Sequence, residues 1–260
     1  LALDLKSASG LEILEALLAR ADVFVQNLAP GAVERLGFGY TDIKERFPQL
    51  IMCEISGYGQ DGQGRDRKAY DLLIQAESGF LSVTGTQADM VKAGCSIADI
   101  SAGMYAYSNI LAALIERSKT GKGRHIDVSM LEAMAEWMGH PMYYSYKGAP
   151  PPPRVAASHA TIYPYGPFQT ATGEVVFAVQ NEREWSAFCL MVLRDPAIAE
   201  DPRFTSNMRR SANREALRQI ISDTLSPLER DTVLQRLGEA NVANADANDM
   251  SDLWHHPQLA

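Results

Sequence analysis

Residues 22–32 read Asp22-Val23-Phe24-Val25-Gln26-Asn27-Leu28-Ala29-Pro30-Gly31-Ala32, and this run decides the fold. A short apolar segment ends on polar residues and then breaks at Pro30-Gly31, a pair that turns the chain. A second such segment, Ile51-Met52-Cys53-Glu54-Ile55, lies about thirty residues further on and is bounded by Gly57 and Gly59. Two short helices, at 32–36 and 42–47, fit between them. Strands at this spacing with intervening helices imply βαβ units and a mainly parallel sheet. Open α/β sheets place ligands at the carboxyl ends of their strands, which is where 27–37 stands. Asn27 offers an amide there and Arg35 can reach a phosphate, although an isolated arginine is ordinarily a solvated surface charge.

Working outward, Leu3-Asp4-Leu5 reads as a strand already under way. Ser9 is expected to cap a helix with Leu11, Leu14, Leu17 and Leu18 on one face. Helical patterns follow at 71–83, 99–119 and 129–146, with a strand at 124–128. The middle helix carries Met104, Tyr105, Ile110, Leu111, Leu114 and Ile115 over a wide arc and is expected to be substantially buried. Prolines 150–153 mark a stiff linker. Beyond it, a strand pair at 166–170 and 175–179, joined at Thr172-Gly173, precedes helices at 182–193, 211–225 and 228–237. The expected fold class is therefore α/β: a Rossmann-like parallel-sheet large domain over 1–147, a linker over 148–165 and a smaller α/β domain over 166–260. A start without Met and an abrupt stop at 257–260 read as a fragment cut at both ends, with an exposed sheet edge expected at each.

A formal charge of −8 argues against nonspecific nucleic-acid binding, which needs a basic face. No apolar run approaches the ~20 residues of a membrane span. Cys53, Cys95 and Cys189 are isolated, without metal-ligand spacing, and suit a reducing cytoplasm as small buried thiols. His125 and His140 are expected in or beside the core. Adjacent His255 and His256 make a poor metal site, so no metal is expected.

Two aspartates need explaining. Asp71, in Lys68-Ala69-Tyr70-Asp71-Leu72, and Asp99, in Ser96-Ile97-Ala98-Asp99-Ile100, each open a helical run among apolar or small neighbours. A helix N-terminus favours a carboxylate and helps keep it ionised, as a carboxylate nucleophile requires. Aspartate is equally a preferred N-cap, and on local grounds both residues read as caps. His159, in a Ser/Ala-rich loop past the prolines, suits substrate closure or simple exposure. Gly57-Tyr58-Gly59-Gln60 either shapes a pocket or ends a strand.

Taken together, 27–37, 56–60, 68–99 and 120–139 resemble the family III CoA-transferases, which include formyl-CoA transferase, carnitine CoA-transferase and alpha-methylacyl-CoA racemase. Residues 70–79 and 157–162 are most similar to the branch acting on mesaconyl-CoA or succinyl-CoA. The resemblance implies a transferase moving CoA between short, dicarboxylic acids, with Asp99 as the covalent nucleophile and Asp71 as pocket lining or supporting acid. It places Asn27, Leu28, Arg35, Leu36 and Lys68 in the CoA site, with Leu28 where an aromatic residue is common. Tyr58, Tyr70 and His159 are the candidate substrate contacts. Ala98, Ser101, Ala102 and Gly103 would let an acyl-CoA approach closely, in a pocket shielded from water. The implied partners are an acyl-CoA, a small carboxylic acid and a second copy in an interlocked homodimer; CoA is a substrate and no permanent cofactor is expected. Two alternatives stay open. A racemase on the same scaffold would need the Gly-His-Asp motif that reads Ala69-Tyr70-Asp71 here, and a non-catalytic CoA-binding module would use both aspartates only as caps.

Overall fold

The computed structural model describes residues 1–259, which divide into two compact units: 1–84 with 89–151, and 85–88 with the residues from 152 onward. In the first unit, helix α1 (Ala8–Leu18) is capped by Ser7 rather than Ser9, its Oγ accepting from Gly10 N at 3.1 Å. The strand expected at Leu3–Leu5 does not form. The Asp4 carbonyl instead accepts from Ser7 N, turning the segment back so closely that a Cβ on Gly10 would lie 2.0 Å from the Asp4 oxygen.

Strand β1 (Val23–Gln26) leads through α2 (Ala32–Arg35) and α3 (Tyr40–Ile43) to β2 (Ile51–Ser56). Helices α4 (Asp71–Glu77), α5 (Phe80–Val83) and α6 (Ile97–Thr120) precede β3 (His125–Ser129). The sheet order is β1-β2-β3 with both pairings parallel, as the strand spacing implied. Alternate residues of β2 face opposite sides. Ile51 and Cys53 pack with Ile126, Val128 and the small residues of α6, whereas Met52 packs with Leu18, Val33, Phe38 and Ile43.

The helix expected over 71–83 breaks at Gly79, whose φ of +81° starts α5 afresh. Helix α6 begins two residues before Asp99 and ends at Gly121, with φ +68°. Its buried arc is Ala98, Ser101, Ala102, Ala106 and Ala113, so small side chains seat it against the sheet. The burial expected for its large residues fails at Met104, Leu111 and Ile115, which are 57%, 43% and 62% exposed. Tyr105, Ile110 and Leu114 are half-buried. The helix expected over 129–146 divides into α7 (Met130–Trp137) and α8 (Gly139–Tyr144).

The second unit holds an antiparallel sheet of β4 (Tyr165–Thr170), β5 (Gly173–Ala178) and β6 (Ala243–Asp246), in that order. Strand β6 was not legible because Ala243-Asn244-Ala245-Asp246 is exposed throughout. Helix α9 (Glu182–Ala187) runs into a π turn over Phe188–Val192, and α10 (Ala197–Glu200), α11 (Asn207–Ala212), α12 (Arg214–Leu225) and α13 (Arg230–Glu239) follow. Helix α14 (Met250–Trp254) comes after β6. The core gathers Phe168, Phe177, Trp185, Phe188 and Phe204 with Leu217, Ile221 and Leu237. Arg210 is fully buried beside it, bonding the Tyr163 and Phe204 carbonyls and Glu182, with its guanidinium 4.9 Å from the Trp185 ring centre.

Two smaller expectations change, at Cys95 and at His140. Cys53 and Cys189 are buried, but Cys95 is exposed. Burial pushes the Cys53 thiol to about 11 and the Cys189 thiol to about 12. His125 sits beside the core as expected, whereas His140 is exposed and edge-on to Tyr144. Among the described residues, no helix is long and apolar enough to cross a membrane.

Candidate active site

The carboxyl ends of β1 and β2 open into a cavity of about 590 Å³ in the first unit. Its walls come from Asn27–Pro30 after β1, Ile55–Gly57 at the end of β2, 67–70 before α4, Asp71 at the start of α4, Asp99 and Ala102 on α6, and Met130 on α7. Of the residues singled out by sequence, Asn27, Leu28, Lys68, Tyr70, Asp71 and Asp99 meet here.

Parallel strands and short loops bring these groups together. Asn27 and Leu28 follow β1 directly, and Gly31, with φ +73°, turns the chain into α2. Gly57 makes room for the opposite wall: a Cβ there would lie 2.2 Å from the Ala69 Cβ. Ala69 is thereby fixed between Lys68 and Tyr70. Of the two readings of 57–60, pocket shaping applies to Gly57.

Asp71 is the first residue of α4 and does not cap its own helix. Its Oδ1 accepts from Ala98 N, at 2.8 Å, in the first turn of α6. Its Oδ2 accepts from Gln75 Nε2 at 2.6 Å, and Gln75 Oε1 accepts from Ala93 N at 2.9 Å. Gln75 is completely buried. One carboxylate and one amide thus tie α4 to both the start of α6 and the loop leading into it. Aspartate does cap a helix here, but the neighbouring one.

Asp99 lies in the first turn of α6, past the cap position held by Ser96. Among the described residues, none donates a hydrogen bond to its carboxylate. Lost hydration and then the nearby Asp71 charge push its carboxyl above the usual aspartate range. The pairing of a fully bonded Asp71 with an unbonded Asp99 removes their apparent equivalence. Asp99 is also exposed, so the shielding from water expected of the pocket is not provided by the described residues. Ala98, Ser101 and Ala102 are buried against the core, where their small size serves helix packing; of these only Ala102 also lines the cavity.

Four sequence candidates fall outside the cavity wall. Arg35 is exposed on α2 and folds back over Gly31, whose Cβ would lie 2.8 Å from the guanidinium. Leu36 packs into the Met52 core. Tyr58 donates to Glu77 at 3.1 Å and lies beneath Arg67, which itself pairs with Glu77. His159 belongs to the second unit, where its Nδ1 accepts from Thr161 N and Ile162 N and its ring stacks on Tyr165. Sequence reading passed over Gln75, although its position four residues after Asp71 is the spacing of a helical side-chain pair. Arg67 and Met130 line the cavity without a local signal.

Known proteins give this geometry a context. A model of CoA-transferase family III matches residues 1–260. The chain is 32% identical over 260 residues to the human succinyl-CoA:glutarate CoA-transferase, covering 100% of this chain and 59% of that protein. It is 35% identical to the succinate–glutarate CoA-transferase of Agrobacterium fabrum, covering 98% and 64%. The crystal structure of a CAIB/BAIF family protein from Brucella suis superimposes with a TM-score of 0.87 at 32% identity, over 98% of this chain and 68% of that one. The chain therefore spans about three-fifths of the length of these two curated relatives.

Proposed function

The chain belongs to CoA-transferase family III, and from that premise we propose that the whole protein moves coenzyme A between short carboxylic acids, using Asp99 as nucleophile. The observation that carries this reading is the unbonded Asp99 carboxylate in one cavity with the Asn27–Pro30 loop and Lys68. The human relative is named for succinyl-CoA and glutarate and the Agrobacterium relative for succinate and glutarate, which supports dicarboxylic acids as the substrate class.

Asp99 attacks the thioester carbonyl of the donor. The carbon–sulfur bond breaks, leaving an acyl-aspartyl anhydride and CoA thiolate. The thiolate then attacks the aspartyl carbonyl, releasing the donor acid as carboxylate and leaving an aspartyl-CoA thioester. The acceptor carboxylate attacks that thioester and expels the thiolate. Thiolate attack on the new acyl carbonyl forms the product thioester and returns Asp99 as carboxylate. No proton is gained or lost over the cycle. A carboxyl held above its usual range is the more basic, better nucleophile once ionised.

In this reading the loop and Lys68 hold the coenzyme, with Arg35 at the rim as a phosphate contact. Leu36 supports the loop from the core, and Tyr70 and Leu28 offer apolar surface. Asp71 is a positioning residue for α6. Tyr58 braces the wall, and His159 is assigned to the substrate by resemblance alone. Asp99 must be covered during turnover, because anhydride and thioester intermediates hydrolyse. The exposed stripe of Ile100, Met104, Tyr107, Leu111 and Ile115 on α6 suits coverage by a second copy in an interlocked homodimer. Three unpaired thiols fit the cytoplasm, and the chemistry requires no metal or resident cofactor.

The test is Asp99→Ala in the full-length protein, assayed with succinyl-CoA and glutarate. Transfer should fall by at least about a thousandfold. Activity within tenfold of wild type would remove Asp99 from the mechanism.

A further inference from the structure

Below the Asn27–Pro30 loop, Gln26, Glu54 and Asp127 stand opposite one another on adjacent strands. Asp127 is exposed and its Oδ2 accepts from Gln60 N at 2.9 Å. Glu54 is only 3% exposed. A buried carboxylate is retained at low cost only when its lone pairs are filled. Gln26 Nε2 donates to Glu54 Oε1 at 2.6 Å, and His125 Nε2 bonds Glu54 Oε2. Tyr40 of α3 stacks on the His125 ring at 4.8 Å and fixes its plane.

The chain of bonds continues into the cavity wall. Gln26 Oε1 accepts from Leu28 N at 2.7 Å. Its direction is dictated by chemistry. The Leu28 amide can only donate, so Gln26 must present its oxygen there and its NH2 to Glu54. Ionised Glu54 can only accept, so His125 must present an N–H. One orientation of the Gln26 amide satisfies every member.

We propose that Gln26, Glu54 and His125 are positioning residues that hold the Asn27–Pro30 loop in its ligand-binding form through this directed relay. The inference rests on the reading of that loop as the coenzyme site. None of the three lines the cavity; they act through Leu28 N.

The relay is sensitive to pH. The His125 imidazole is held above its usual range by its bond to Glu54, then by the charges of Glu54, Asp127 and Glu34, against an opposing effect of burial. The neighbouring Arg124 is neutralised by its pair with Glu116. A raised imidazole means that the imidazolium supports Glu54 below the folded-state pKa. Its positive charge beside Glu54 is lost as pH rises through that value, while the neutral ring protonated at Nε2 keeps the hydrogen bond.

The experiment is calorimetric titration of the full-length protein with coenzyme A across pH 6 to 9. Gln26→Leu, and the milder Gln26→Asn, which is too short to span both partners, should bind about tenfold more weakly. In wild type, affinity should fall as His125 loses its proton. Glu54→Gln should flatten that dependence; the ligand's own titration is common to both proteins. Wild-type affinity retained by either folded Gln26 variant overturns the proposal, as does an unchanged pH profile in Glu54→Gln. Hydrogen exchange in the wild type covers the case in which every variant fails to fold. The Leu28 amide should be protected, and exchange at its intrinsic rate overturns the relay. Absence of coenzyme binding by wild type would instead refute the reading of the pocket, while Leu28 protection still tests the relay.

Discussion

Asp71 Oδ1 accepts the amide hydrogen of Ala98 at 2.8 Å, so the residue immediately before Asp99 is anchored by a carboxylate from another helix. The bond satisfies a free N–H in the first turn of α6 and fixes the orientation from which Asp99 projects. The same carboxylate is close enough to raise Asp99. One side chain thus fixes the position of the other and adds to the effect of lost hydration on its acidity.

Removing that anchor should affect stability and chemistry together. Asp71→Ala should lower stability by about 1–2 kcal/mol, the scale of a lost N-cap, and also lower kcat. Asp71→Asn keeps an oxygen for Ala98 N but sets its NH2 against the Gln75 NH2, so it should recover only part of the stability. Chemical denaturation alongside steady-state assays checks both; equal destabilisation by the two variants contradicts the capping role.

The acidity of Asp99 predicts an acid limb in the rate profile. Since its carboxyl lies above the usual aspartate range, kcat/KM should fall at a higher pH than an ordinary aspartate would give. Asp71→Asn removes the like charge, so the limb should move to lower pH. A limb that stays in place would show that desolvation alone raises Asp99.

Stability should respond in the opposite sense to activity at this residue. With the folded pKa above the unfolded one, the unfolded chain ionises first as pH rises. Stability is therefore lost through that interval and remains lost at neutral pH. Asp99→Asn removes this penalty, so it should abolish transfer while leaving the melting temperature unchanged or higher. A clear fall in melting temperature at pH 7 would show that the carboxylate stabilises the fold.

Gly57 and Arg210 test packing in the two units. Gly57→Ala places a methyl group 2.2 Å from the Ala69 Cβ, which must displace Lys68 and Asp71. A stability loss of about 1–3 kcal/mol should accompany weaker coenzyme binding. Arg210→Met leaves the Tyr163 and Phe204 carbonyls without their donor, and should cost about 2–4 kcal/mol. Equilibrium denaturation reads both effects.

The sheet was legible because Val23–Val25 and Ile51–Cys53 are apolar, correctly spaced and followed by turn residues. Strand β6 was hidden because it is polar and exposed, held only by pairing with β5. Reading α6 by its large residues selected the wrong face, since close packing on the sheet is achieved by alanines. In the site, family resemblance separated Asp99 from Asp71 where local reasoning left both as caps. Bonds made at a distance explain the rest. Asp71 caps a helix 27 residues away in sequence, and Gln26 reaches Glu54 across 28 residues; no periodicity encodes either contact.

The proposed mechanism requires a covalent bond to Asp99. Full-length protein should be mixed with succinyl-CoA without an acceptor acid, quenched in acid and analysed by intact-protein and peptide mass spectrometry. The predicted result is a mass increase of CoA minus water on the peptide containing Asp99, discharged by adding glutarate. An active enzyme that turns over without any such adduct, or carries it on another residue, contradicts the account.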